Sequence, residues 1–216
     1  MQDQARMPDD KARPSSRPPR RRQEDRSAET QSRLIEAAIQ LLHENGFAAT
    51  SVDRIASSAG LTRGALSHHF QSKADLVVAV MHAVSDERHL RLAECYRELS
   101  RYHNRCERMV RALWQAIYGD PAYVATIEIL LGSRSDPELR ARVESERGRS
   151  ADSIYSVWDE MLSDDQMPEQ RRTDAMHLTI ATLRGLAVLN LVARDPEFIE
   201  RQLALLATAV ETIMRP

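Results

Sequence analysis

The residues with the most chemical content lie between Val52 and Phe70, VDRIASSAGLTRGALSHHF. Hydroxyls, arginines and a pair of histidines alternate there with small and apolar residues. Adjacent His68 and His69 point about 100° apart on a helix, and no cysteine or carboxylate completes a metal-ligand set beside them. The chain carries no H-E-x-x-H, G-x-S-x-G or glycine-rich phosphate loop, so the pattern does not point to an enzyme or to a cofactor. What it does specify is geometry. Ile55, Ala59, Leu61 and Leu66 are spaced to face inward, and Ala56 supplies the small contact that two steeply crossed helices need. Gly60 supplies a turn residue with positive φ. Thr62 caps a second helix from Arg63 to about Phe70. This is the grammar of a helix-turn-helix, whose second helix enters a DNA major groove. A plain αα-corner uses Ala and Gly in the same way.

The surrounding elements must hold that pair in place. Leu34, Ile35, Ala38, Leu41 and Leu42 form one face of a helix that Gly46 ends, and Phe47 returns to the core. Thr50-Ser51-Val52-Asp53 and Ser72-Lys73-Ala74-Asp75 both read as capping boxes. Asp120-Pro121, Asp136-Pro137 and Asp195-Pro196 each set an N-cap acid before a first-turn proline. Helical stripes follow at Met109–Ile117, Ile154–Leu162 and Ile199–Ile213, giving about nine helices and no convincing strand. The fold class is all-α.

Composition agrees. The 216 residues hold 30 Lys+Arg against 32 Asp+Glu, a net charge of −2, so the chain is neither a basic coat nor an acidic solvating tail. No purely apolar run reaches the ~18–20 residues of a membrane span. Two cysteines, Cys95 and Cys106, make no disulfide framework. A cytoplasmic location is expected. Arg13, Arg17, Arg20, Arg21 and Arg22 stand without an intervening acid beside Pro14, Pro18 and Pro19, so residues 1–27 read as a disordered arm, solvated or laid on phosphates.

From Ser32 to Val84 the chain resembles the DNA-binding domain of TetR-family transcriptional regulators. The resemblance rests on Asn45-Gly46-Phe47, Thr50-Ser51-Val52, Ile55-Ala56, Ala59-Gly60-Leu61, Arg63-Gly64, His69-Phe70, Ser72-Lys73 and Asp75-Leu76. It implies a DNA-binding domain at 28–84, with the helix-turn-helix at 51–70, and a helical effector-binding and dimerisation domain at 85–216. It implies that Thr62, Arg63, Gly64 and Ala65 open the recognition helix, with Arg63 reading a base edge and Gly64 and Ala65 allowing close approach. Ser67, His68, Lys73 and Thr50 or Ser51 are expected on phosphates. Ser67 stands where the family usually has a tyrosine, so either it makes a shorter contact or His68 takes over.

The second half is less explicit. MHLTIATLRGLAVLNLV, Met176 to Val192, is apolar nearly all round and needs cover on most sides. A partner subunit could provide it, pairing helices at about 170–194 and 197–214 into a four-helix interface; the centre of a monomeric bundle is the alternative. Trp114, Tyr118, Tyr123, Ile127, Leu131 and Trp158 are candidates to line an effector cavity, with Glu128, His177 and Arg184 as its polar groups. The expected partners are an operator duplex, a second copy and an unidentified small molecule. A helical adaptor and a small all-α enzyme remain as other readings.

Overall fold

The computed structural model describes residues 20–99, 105–146 and 168–214. Everything regular in them is helical. Helix α1 spans Arg20–Ala49 and is broken at Gly46 (φ 77°, ψ 171°). Then come α2 (Val52–Ser58), α3 (Arg63–His69) and α4 (Lys73–Leu99). Helix α5 (Arg105–Leu113) runs on into a π-helical turn over Trp114–Tyr118, and α6 (Pro121–Gly132) follows. A short 3-10 turn leads to α7, described over residues 137–146. Helices α8 (Glu169–Val192) and α9 (Pro196–Met214) complete the described chain.

The starts follow local chemistry. Asp120 Oδ1 accepts the Ala122 N–H at 2.8 Å, Asp136 Oδ1 accepts those of Glu138 and Leu139 at 3.1 and 3.0 Å, and Asp195 Oδ1 accepts that of Phe198 at 2.9 Å. Ser72 Oγ accepts the Asp75 N–H at 3.1 Å and donates to its carboxylate at 2.8 Å, as a capping box should. The expected box at Thr50 is different. Ser51 is the cap, accepting the Arg54 N–H at 3.3 Å, and the third helical residue is an arginine rather than an acid. Asp53 is thereby free to face α3.

The arm also departs from expectation. Residues 20–27 are helical, because no proline occurs between Pro19 and Pro121 and the Arg, Gln and Glu of this stretch are good helix formers. Residues 1–19 lie outside the described residues.

Two apolar cores form, and they do not divide at residue 84. The first gathers Leu34, Ala38 and Leu42 of α1, Ile55, Leu66, Phe70, and Leu76, Val77 and Val80 of α4. It also takes in Ala125 and Ile129 of α6 and Leu139 and Val143 of α7. The second joins Met109, Val110 and Ile117 to Leu183 and Leu186 of α8 and Leu203 and Val210 of α9, with Leu92 at the far end of α4. At ~1.5 Å per residue, α4 is about 40 Å long and is shared by both cores. The joint between α1 and α6 is close: a Cβ on Gly132 would lie 2.1 Å from the Phe47 ring, so only glycine admits the ring there.

Helix α8 has an 18-residue window of mean hydropathy 1.5, long and apolar enough by composition to cross a bilayer. One side of it, through Met176, Ile180, Leu183, Leu186 and Ala187, is packed in the second core.

Candidate nucleic-acid interface

Helices α2 and α3 meet through a tight, fully hydrogen-bonded turn. Gly60 takes φ 66°, its N–H bonds Ser57 O at 3.0 Å, and the Leu61 N–H bonds Ala56 O at 2.8 Å. That double closure satisfies the last carbonyls of α2 and turns the chain sharply. Arg33 Nη2 donates to Ala59 O at 2.6 Å and ties the turn to α1. Thr62 Oγ1 then accepts the Ala65 N–H at 3.1 Å and starts α3. Leu66 and Phe70 are buried, so the opposite face, with Arg63, Gly64, Ser67 and His68, is exposed and Ala65 half-exposed.

Arg63, the expected base reader, is exposed but not idle. Its Nη1 lies 3.0 Å from both Oδ1 and Oδ2 of Asp53 on α2. With both side chains largely in solvent, 70% and 61% exposed, the pair is worth about 0–1 kcal/mol and yields readily to a better partner. His68 and His69 stack edge-on at 5.3 Å, and His69 in turn lies beside Phe70.

Two residues expected on phosphates have partners within the protein. Thr50 is only 1% exposed, and its hydroxyl donates to Gly46 O at 2.8 Å, closing the chain after the α1 break. Lys73 Nζ donates to Phe47 O at 2.9 Å and sits 3.9 Å from the centre of the Phe47 ring. Its partial burial lowers its pKa, and its ammonium serves as a strut between α4 and the α1 break. Ser51, by contrast, is exposed at the start of α2.

The sequence reading passed over two cations near this face. Arg54 is exposed on α2, with Nη1 on Ala49 O at 2.6 Å and Nη2 on Asn45 Oδ1 at 3.1 Å. Arg26, with Thr30, lines an open groove that α1 shares with His68 and His69. The signal for Arg26 was hidden by assigning its segment to an arm.

The expected effector residues scatter. Tyr118 and Tyr123 are buried and meet edge-to-face at 4.8 Å. Trp114 and Ile127 are half-buried against the second core. Arg184, exposed along α8, hydrogen-bonds Tyr123, whose pKa is pushed up to about 12, chiefly by burial. His177 is exposed on α8. Leu131 is 55% exposed on α6 and is not part of the cleft beside Tyr123. Glu128 is corrected outright: its Oε2 accepts the Phe47 N–H at 3.0 Å, so it belongs to the joint between the halves. Trp158 and the Cys95 side chain lie outside the described residues; Cys106 is half-buried. A shallow, open cleft with room for little more than a water lies beside Tyr123, walled also by Val84, Arg88, Arg91, Ile117 and Asp120.

A capped, exposed second helix on a three-helix unit, fused to a larger helical domain, defines a helix-turn-helix DNA-binding regulator. The family model for bacterial regulatory proteins of the tetR family matches residues 34–80. The HTH-type transcriptional regulator CymR of Pseudomonas putida is 28% identical over 85% of this chain and 90% of its own. Among solved structures, a transcriptional regulator from Rhodococcus sp. Rha1 superposes with a TM-score of 0.68 at 22% identity, over 83% of this chain and 95% of that one. NalD of Pseudomonas aeruginosa, described as the secondary repressor of a multidrug efflux pump, superposes at 0.58 with 19% identity, over 88% and 97%. Residues 34–80 thus carry a DNA-binding domain of the tetR family of bacterial regulatory proteins, and over most of its length the chain is similar to DNA-binding transcriptional regulators.

Proposed function

We propose that the protein is a cytoplasmic, homodimeric repressor that leaves a palindromic operator when a small molecule occupies its helical domain. The observation that carries this reading is the joint between the halves. Ala125 and Ile129 of α6 are part of the core that also seats Leu66 of α3, and Glu128 of α6 holds the Phe47 N–H at the α1 break. A ligand that prefers a shifted α6 therefore also prefers a shifted α3, and the operator loses affinity by the difference. Couplings of this kind run to about 1–3 kcal/mol, roughly 5–150-fold.

The contacts assigned to DNA are Arg63 on a base edge, Gly64 and Ala65 at close approach, and Ser51, Thr62, Ser67 and His68 on the backbone, with Arg54 added as a phosphate cation. Dimerisation is supported by the outer face of α8. Leu178, Gly185, Leu189 and Val192 fall on one stripe, with Leu205 exposed on α9. A Cβ on Gly185 would meet nothing within 4 Å, so this stripe is open to a second helix. Two α3 helices would then sit ~34–36 Å apart, one duplex turn. The reading includes no catalytic role. CymR and NalD, both described as regulators of transcription, support the same assignment.

Footprinting on the region upstream of its own gene, at stated salt, tests it. The expected result is a protected inverted repeat bound by a dimer in sedimentation. Uniform, sequence-independent protection would overturn the reading.

A further inference from the structure

The contacts assigned to DNA so far leave out α1, yet its N-terminal turns form one wall of a groove whose other wall is the C-terminal end of α3. Gln23, Arg26, Ser27 and Thr30, spaced i, i+3, i+4 and i+7, face this groove from a single side of α1. His68 and His69 close it from α3. Glu24 is the one acid in its lining; Asp25 and Glu29 of the same stretch are exposed and lie outside it. The groove is open to solvent and holds about 510 Å3.

Arg26 differs from the other arginines whose side chains are described on α1–α3. Arg33 bonds Ala59 O, Arg54 bonds Ala49 O and Asn45 Oδ1, and Arg63 is held by Asp53. The Arg26 guanidinium has no such partner among the described residues; the Thr30 hydroxyl, at 2.8 Å, takes only its backbone carbonyl. The groove therefore offers an uncommitted cation, two imidazoles, an amide and hydroxyls against a single carboxylate. That set suits an anion with several acceptor oxygens. A polymer suits it better than an enclosed small molecule, because the groove is open and His68 belongs both to its lining and to the exposed face of α3.

We infer that the groove is a second DNA-contacting surface, in which the sugar–phosphate backbone of one strand passes between α1 and α3 with a phosphate on Arg26. This rests on reading α3 as the recognition helix and extends the interface to α1. Glu24 is then a repulsive neighbour of the same phosphate.

The test uses the full chain and the duplex protected in footprinting, with neutral methylphosphonate linkages walked along each strand and affinities read by fluorescence anisotropy. At one position the neutral linkage should weaken the wild type at least about threefold and leave Arg26→Gln unaffected, the mark of a direct pair. On the unmodified duplex Arg26→Gln should lose the same factor and show a salt slope shallower by ~1, while Arg26→Lys keeps most of the affinity. Random duplex should be weakened by Arg26→Gln as well, since a phosphate contact carries no sequence information. Glu24→Gln should bind both duplexes more tightly. Both side chains are exposed, so neither substitution should move the melting temperature. Neutral linkages that weaken Arg26→Gln as much as the wild type at every position, or a Glu24→Gln variant that binds no better, overturn the inference. A wild type that protects its operator and gives either of those results refutes the groove alone; one that binds no duplex refutes the reading of α3 with it.

Discussion

Nη1 of Arg63 is clasped by both carboxylate oxygens of Asp53, each at 3.0 Å, so the exposed arginine that opens α3 is held by a residue of α2. Arg63→Ala should cost ~1–3 kcal/mol of operator affinity and relax one base position. Asp53→Ala should do something different. It removes an acid near the phosphates and releases the arginine, so affinity for random duplex should rise and the ratio of operator to random binding should fall. Mobility shifts on both duplexes at one salt concentration measure it; an unchanged ratio removes the role assigned to Asp53.

Lys73 separates a strut from a phosphate ligand. Its ammonium lies on Phe47 O at 2.9 Å and over the Phe47 ring, so Lys73→Met should lower thermal stability. A direct phosphate contact instead predicts a salt slope shallower by ~1 with the melt unaffected. Melting curves and salt titrations of the one variant decide between them.

Gly132 is where the halves touch most closely. A methyl group there would meet the Phe47 ring at 2.1 Å, and that ring belongs to a residue whose backbone is held by Lys73 and Glu128 rather than to a loose chain end. Gly132→Ala should destabilise by roughly 1–3 kcal/mol, as overpacking does. Urea denaturation checks the magnitude, and operator affinity should fall with it because α3 shares that core.

The exposed stripe on α8 can be broken without touching either core. Leu189 and Val192 are 48% and 82% exposed, so Leu189→Glu with Val192→Glu should leave the monomer's helicity intact. Sedimentation should show a monomer, and affinity for the full palindrome should drop while that for a half-site stays. A dimer that survives both charges would move the interface elsewhere.

Tyr123 gives a pH dependence. Its folded pKa, about 12, stands above the ordinary 10.0 of a phenol, so the folded state holds its proton where the unfolded state releases it. The associated stability is complete below pH 10 and declines as pH rises toward 12. Tyr123→Phe should flatten that part of the stability profile, followed by circular dichroism.

Local rules made much of this protein legible before any coordinates. Three Asp-Pro starts, the Ser72 box, the glycine turn at Gly60 and the Thr62 cap depend on contacts within a few residues, and those contacts are where expected. The exposed face of α3 followed from burying Leu66 and Phe70. The Thr50 box does not form, because Ser51 competes for the same role and the Gly46 carbonyl takes the hydroxyl of the buried Thr50.

By itself, the order of residues determined the all-α class, the helix-turn-helix and its exposed arginine, since periodicity, caps and one positive-φ glycine act over short stretches of chain. Only the tertiary structure decided which charges are engaged and which stand open. Glu128 meets Phe47 across 81 positions, Arg91 claims Asp120 across 29, and Arg88 is left facing a tyrosine. Such pairings depend on how helices pack and on which of several acids lies nearest, and no local pattern encodes that competition.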